Sequence, residues 1–218
     1  MGGNCHCQNT RFEGLDPRYR RALYLVIAIN AVMFLVEMPL GFVGDSQAMK
    51  ADALDFLGDS LTYGLSLAVL GMSLSRRATA ALVKGVSLGL MGLWVMGGTL
   101  YAVFVQGQPS AGLMGGIGVA ALAANLASVA LLIRFKDGDA NVRSVWLCSR
   151  NDAINNLLLI GAASGVWASK TPWPDLIVAG FMAGLFLWGS AAIIRQAGME
   201  LKFARRAESG AHRNQAAE

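Results

Sequence analysis

Between Ala51 and Asp59 the chain reads Ala-Asp-Ala-Leu-Asp-Phe-Leu-Gly-Asp, which sets three carboxylates inside an apolar run about as long as a membrane span. Asp52, Asp55 and Asp59 are spaced by three and four residues, so a helix of about 3.6 residues per turn lays all three along one face. That face avoids lipid. A carboxylate in a span turns to the bundle interior or to a water-filled cavity, and it marks a functional site with a partner elsewhere. The partner stands in a later apolar run: Cys148 and Asp152 have the same four-residue spacing as Asp55 and Asp59. Residues four apart on a helix have Cβ atoms about 6 Å apart, so each pair converges on one ion. Two facing pairs supply the four donors that a tetrahedral metal takes. Three carboxylates and a thiolate, all ionised, carry more charge than a divalent cation neutralises, so the empty site holds protons and metal binding expels them. That competition is the physical basis of a proton-coupled exchanger.

The elements holding these residues are membrane spans. Of 218 residues, 55% are hydrophobic and only 15% charged, with a mean hydropathy of +0.48, whereas a soluble domain carries roughly 25% charged residues. Six apolar runs are read as transmembrane helices, over residues 20–43, 48–73, 79–105, 111–134, 142–168 and 173–195. The expected fold is therefore all-α, a polytopic membrane protein with six transmembrane helices. It divides into a flexible leader (1–19), a six-helix transmembrane domain (20–195) and a short tail (196–218), with no soluble domain. The depths of the two pairs agree. Counted at 1.5 Å per residue, Asp55/Asp59 lies roughly 15 Å from one boundary and Cys148/Asp152 roughly 14 Å from the other, together matching a hydrocarbon core of about 30 Å.

The pI near 9.2 comes from basic residues sorted by loop, not gathered into a nucleic-acid-binding patch. Arg11, Arg18, Arg20 and Arg21 precede the first span; Arg76, Arg77 and Lys84 lie at the second connection; Arg134, Lys136 and Arg143 lie at the fourth. Arg195, Lys202, Arg205 and Arg206 follow the sixth, while the other connections hold only Lys50 and Lys170. The positive-inside rule then puts both termini in the cytoplasm. The leader has no continuous apolar core of the signal-peptide kind. Its Cys5-His6-Cys7 run offers metal ligands, although three neighbours cannot close a four-coordinate site alone. Cytoplasmic thiols stay reduced and open to metals.

Further polar residues accompany the site. Asn30 and Glu37 share a face of the first span, and Glu37 and Asp52 are possible accessory ligands. Arg150, roughly 200° round the helix from the Cys148/Asp152 face, is expected to meet another helix or Glu37. Gly85/Gly89 and Gly180/Gly184 have the four-residue spacing that lets helices approach closely. The tryptophans are expected as interfacial anchors.

Asn30 to Glu37, Gly41, Ser46, Ala51-Asp52-Ala53, the acidic pair ending at Asp59, and Cys148 to Asp152 in the fifth span resemble the cation diffusion facilitator family of six-span metal exporters, over about residues 20–195. The resemblance implies a metal site on Asp55, Asp59, Cys148 and Asp152, metal–proton antiport by alternating access, and a homodimer in a membrane, such as a bacterial inner membrane. Two departures stand out: Cys148 replaces a fifth-span His, and the residues after Arg195 leave no room for the family's cytoplasmic metal-binding domain. The expected function is proton-coupled export of zinc, with cadmium, cobalt or ferrous iron as companions. No prosthetic group and no enzymatic activity are expected. Two alternatives are a non-transporting membrane partner subunit and an intramembrane aspartyl hydrolase, although Phe56 stands where such proteases carry a first Gly before Leu57-Gly58-Asp59. Thiolate favours soft ions. Cys148→Ser is therefore expected to reduce cadmium transport more than manganese transport in a competition assay, and equal losses would remove Cys148 from the ligand set.

Overall fold

The computed structural model describes residues 17–69, 72–105, 107–135 and 140–215, and leaves aside the side chains of 74, 140–148 and 203–215. The Cys5-His6-Cys7 leader lies outside the described residues, as does the Cys148 side chain. Six long helices are found among the described residues: α1 (Pro17–Val43), α2 (Gln47–Ala68), α3 (Leu74–Val105), α4 (Ala111–Leu132), α5 (Ala140–Ser169) and α6 (Trp173–Gln215). Successive helices run antiparallel. One end of the bundle, the near end, carries the start of α1 and the α2–α3 and α4–α5 connections; the far end carries the other three turns.

Local chemistry sets those turns. Asp45 adopts the left-handed conformation (φ 48°), and Ser46 N–H returns to the Gly41 carbonyl at 3.0 Å, which folds α2 back on α1 within three residues. Ser46 then caps α2, its hydroxyl accepting from Met49 N–H at 3.0 Å. Lys170 (φ 55°) closes α5 in the same left-handed way, its N–H donating to Val166 at 2.9 Å. Pro174 follows in the first turn of α6, where its missing N–H has no helical partner to lose.

Around the core, α1 packs on α2 and α4, α4 packs on α5, and α3 pairs mainly with α6. Among the described residues, α2 is the helix in contact with every other. That centrality follows from its composition. Four helices (α1, α3, α4 and α6) are long and apolar enough to cross a membrane alone. The other two are the more polar: α2 holds Lys50, Asp52, Asp55 and Asp59, and the first half of α5 holds Asn151, Asp152, Asn155 and Asn156. They tolerate lipid only because the surrounding helices cover them. The covering helices turn apolar residues outward, among them Leu35, Leu90, Phe104, Ile177 and Phe181, each at least half exposed.

Three element boundaries differ from the sequence reading by five residues or more. α2 stops at Ala68 and not at 73, α3 begins at Leu74 and not at 79, and α6 continues to Gln215 through the segment read as a tail. The sequence reading followed apolarity, whereas the backbone continues wherever helix-forming residues such as Ala, Glu, Lys and Arg allow it. Gln196 supports that continuation by donating to Glu200 one turn on, at 3.0 Å.

The glycines divide unequally. A Cβ at Gly85 would sit 2.8 Å from Ile194 Cγ1, and one at Gly89 would sit 2.6 Å from Ser190 Oγ. Ser190 uses the space to donate to the Gly85 carbonyl at 2.7 Å, joining α3 to α6. Gly180 and Gly184 meet nothing within 4 Å, so the packing role expected of them is not found within this chain. Gly85→Ala should consequently cost about 1–3 kcal/mol through overpacking, while Gly184→Ala should leave stability unchanged or slightly raised. Thermal unfolding of the two variants in detergent checks this, and equal melting temperatures would contradict the interlocked seam.

Candidate metal site

α2 and α5 meet at the residues that the spacing singled out. Asp152 on α5 lies within hydrogen-bonding reach of both Asp55 and Asp59 on α2. Tyr63, one turn further along α2 and fully buried, donates its hydroxyl to Asp59 Oδ2 at 2.5 Å. Three carboxyls thus cluster at mid-bundle, each only partly exposed. They meet as contacts through Asp152: among the described residues, no three His, Cys, Asp or Glu side chains sit together closely enough to hold an ion as they stand. The fourth expected donor, Cys148, is one turn from Asp152 on α5, with its side chain outside the described residues.

Two spaces adjoin the cluster. A cavity of about 680 Å³ fills the near half between α2, α3, α5 and α6, and its wall includes Asp55, Asp59, Lys84, Asn151, Asp152 and Asn155. Beneath it a cleft too tight to admit a water molecule is lined by Asn30, Asp52, Asp55, Asp59, Asn125 and Asp152. The carboxyls therefore stand at the inner end of an open vestibule, with amide side chains from α1 and α4 behind them.

Glu37 and Asp52 form a second acidic contact toward α1. Their carboxyls lie within hydrogen-bonding distance of one another, and they are 0% and 2% exposed. Among the described residues, none donates to either Glu37 oxygen or to Asp52 Oδ2. Two buried acceptors facing each other are held together only by a proton or a cation between them, since an unsatisfied charged group is among the costliest things to bury. Glu37 does not meet Arg150, which is exposed and donates to Asn151 Oδ1 at 3.3 Å. The sequence expectation of a pairing between them is corrected: Arg150 sits on the side of α5 away from Asp152, and Glu37 is enclosed between α1 and α2.

The sequence reading missed Lys84, Asn125 and Asp175. Lys84 was counted with the loop cations, yet it lies inside α3, lines the vestibule and places its charge near Asp59. Asn125 had no acidic neighbour along the chain, and only packing brings it to the cleft. Asp175, which has no acidic or metal-ligating neighbour to single it out in the sequence, is fully buried against α2. The tryptophans fit their expected place in part. Trp167 and Trp173 are exposed at the far end, Trp94 stacks edge-on against Phe42 at 6.4 Å, and Trp188 joins the vestibule wall.

An all-helical membrane bundle with a carboxyl cluster at the foot of an open vestibule is a polytopic membrane protein built around an intramembrane polar site. Residues 23–201 match the cation efflux transmembrane domain, and the chain belongs to that family. Among similar proteins, a proton-coupled zinc antiporter of Mus musculus is 33% identical over 113 residues, 47% of this chain and 30% of that protein. The zinc transporter ZitB of Escherichia coli is 29% identical over 173 residues, 72% of this chain and 54% of its own length. The chain thus spans about half, or less, of these curated relatives.

The facing acceptors yield a stability prediction. Glu37→Gln places an amide donor opposite Asp52 and should hold or raise the melting temperature, whereas Glu37→Ala opens a hole and should lower it. Thermal unfolding of both variants decides; a Gln variant as unstable as the Ala variant would show that the two carboxyls are not in opposition.

Proposed function

We propose that the protein exports divalent metal ions, zinc foremost, in exchange for protons, using Asp55, Asp59 and Asp152 with Cys148 as the fourth donor. The observation that carries this reading is the contact of Asp152 with both α2 carboxyls at the foot of the vestibule. Hard oxygen donors and one thiolate suit zinc and its softer neighbours, and both relatives described above carry zinc in their names. The near end, where the vestibule opens, is the cytoplasmic end if the basic loops follow the positive-inside rule.

Each donor has a distinct part. Asp152 bridges the two helices and so responds to any change in their separation. Asp55 and Asp59 bring the charge, with Tyr63 holding one Asp59 oxygen in place. Lys84 offers the empty site a tethered cation, which an arriving divalent ion must outcompete. Carboxyls freed from metal take up protons, and metal entry releases them, so zinc affinity should fall as the pH is lowered.

Zinc-dependent proton flux across proteoliposomes tests the proposal. Asp59→Ala and Asp152→Ala should each abolish flux while leaving a folded, monodisperse protein, and zinc binding in weak buffer should release protons into solution. Wild-type vesicles that bind zinc without moving it would support a partner subunit. Flux that survives both substitutions would remove the site assignment.

A further inference from the structure

We propose that Asp175 is the far-end gate of the transport path, a positioning residue whose grip on the first turn of α2 keeps the site closed to that side. The proposal rests on the transport reading above.

Asp175 lies in the first turn of α6 and is fully buried, and both its oxygens are taken by α2. Oδ1 accepts from Ser46 Oγ at 2.6 Å and from Ala48 N–H at 3.0 Å; Oδ2 accepts from Gln47 N–H at 2.8 Å. A helix start presents unpaired N–H groups and the positive end of its dipole, and a capping carboxylate normally comes from the same helix. Here Ser46 supplies the local cap and Asp175, 129 residues later in the chain, supplies the charge. The bond is therefore tertiary. It fixes the depth and rotation of the helix that carries Asp55 and Asp59.

The surroundings place this bond at a seal. Beside it a buried apolar cluster of Ala48, Met49, Met114, Leu159, Val166 and Ala179 joins α2, α4, α5 and α6 between the carboxyl cluster and the far end. Ser110 at the start of α4 donates to the Gly44 carbonyl at 2.9 Å, and Gly165 of α5 leaves room for Pro174 of α6, where a Cβ would come within 2.9 Å. Asp55 lies eight residues from Gln47, about 12 Å along the helix. The near half is open over about 680 Å³, and a separate far-end pocket of about 530 Å³ between α1, α2 and α3, lined by Asp45, Gln47 and Lys50, does not include the carboxyl cluster in its wall. On the α5 and α6 side the apolar cluster and the Asp175 bonds close the far half, so passage along that side requires α2 and α6 to part where Asp175 holds them.

Sidedness is the readout that a merely structural cap would not move. Ala51, fully buried one turn outward of Asp55 on the same face, is converted to Cys, and its labelling by a membrane-impermeant maleimide from the far side is measured against the same background without A51C, which subtracts Cys5, Cys7 and Cys148. Asp175→Asn should raise the labelling rate several-fold, with Ser46→Ala raising it less. A second variant, S46C/D175C, should stop zinc flux when oxidised, regain it on reduction, and bind zinc from the near side in both states. Unchanged labelling in D175N, or a lower melting temperature with no change in sidedness, overturns the proposal. So does an oxidised S46C/D175C protein that still carries zinc across. Loss of zinc flux in the unmodified protein would instead sink the transport reading itself.

Discussion

Carboxylates cannot face hydrocarbon, and that constraint orders the whole bundle. A helix with Asp52, Asp55 and Asp59 inside the membrane must be surrounded, and α2 is in contact with every other helix. The apolar helices α1, α3, α4 and α6 take the lipid-facing positions, and α5, also polar, is drawn to the one remaining surface where its Asp152 meets its like. Packing and chemistry are here one requirement. The arrangement that hides the charges also gathers them.

Gathered charges raise a second problem, which the structure answers with neighbours of several kinds. Tyr63 donates to Asp59, Lys84 brings a positive charge into the vestibule, and Asn30 and Asn125 line the cleft behind. Among the described residues, neither Glu37 oxygen nor Asp52 Oδ2 has such help, and the two carboxyls face each other. Like-charged groups enclosed together favour whichever species adds positive charge between them, a proton when metal is absent and metal when it is abundant.

Much of this was legible in the residue order. The spacing of Asp55, Asp59, Cys148 and Asp152 is a one-dimensional signal that a helix converts directly into a shared face, and the depth count brought α2 and α5 to one level. Residues whose role depends on a distant neighbour were not legible. Asp175 resembles any helix-start carboxylate until α2 is folded against it, and Lys84 near a span end is indistinguishable from a topology signal. Glycine spacing failed for a related reason: Gly85/Gly89 and Gly180/Gly184 look alike in sequence, and only the first pair finds a partner helix within the chain. Helix length was underestimated at α6 because hydropathy marks where lipid ends, and the backbone has no reason to stop there.

That last feature has a mechanical side. With 43 residues, α6 measures about 65 Å at 1.5 Å per residue, roughly twice the thickness of a hydrocarbon core. No proline interrupts it beyond its first turn, and the seam with α3 stiffens its middle. A tilt or twist imposed at the Trp173 end is not dissipated at the membrane surface. Measured from Ser190 in the glycine seam, a rigid α6 has arms of about 26 Å toward Trp173 and about 38 Å toward Gln215, so a tilt imposed at the first end would be returned enlarged at the second.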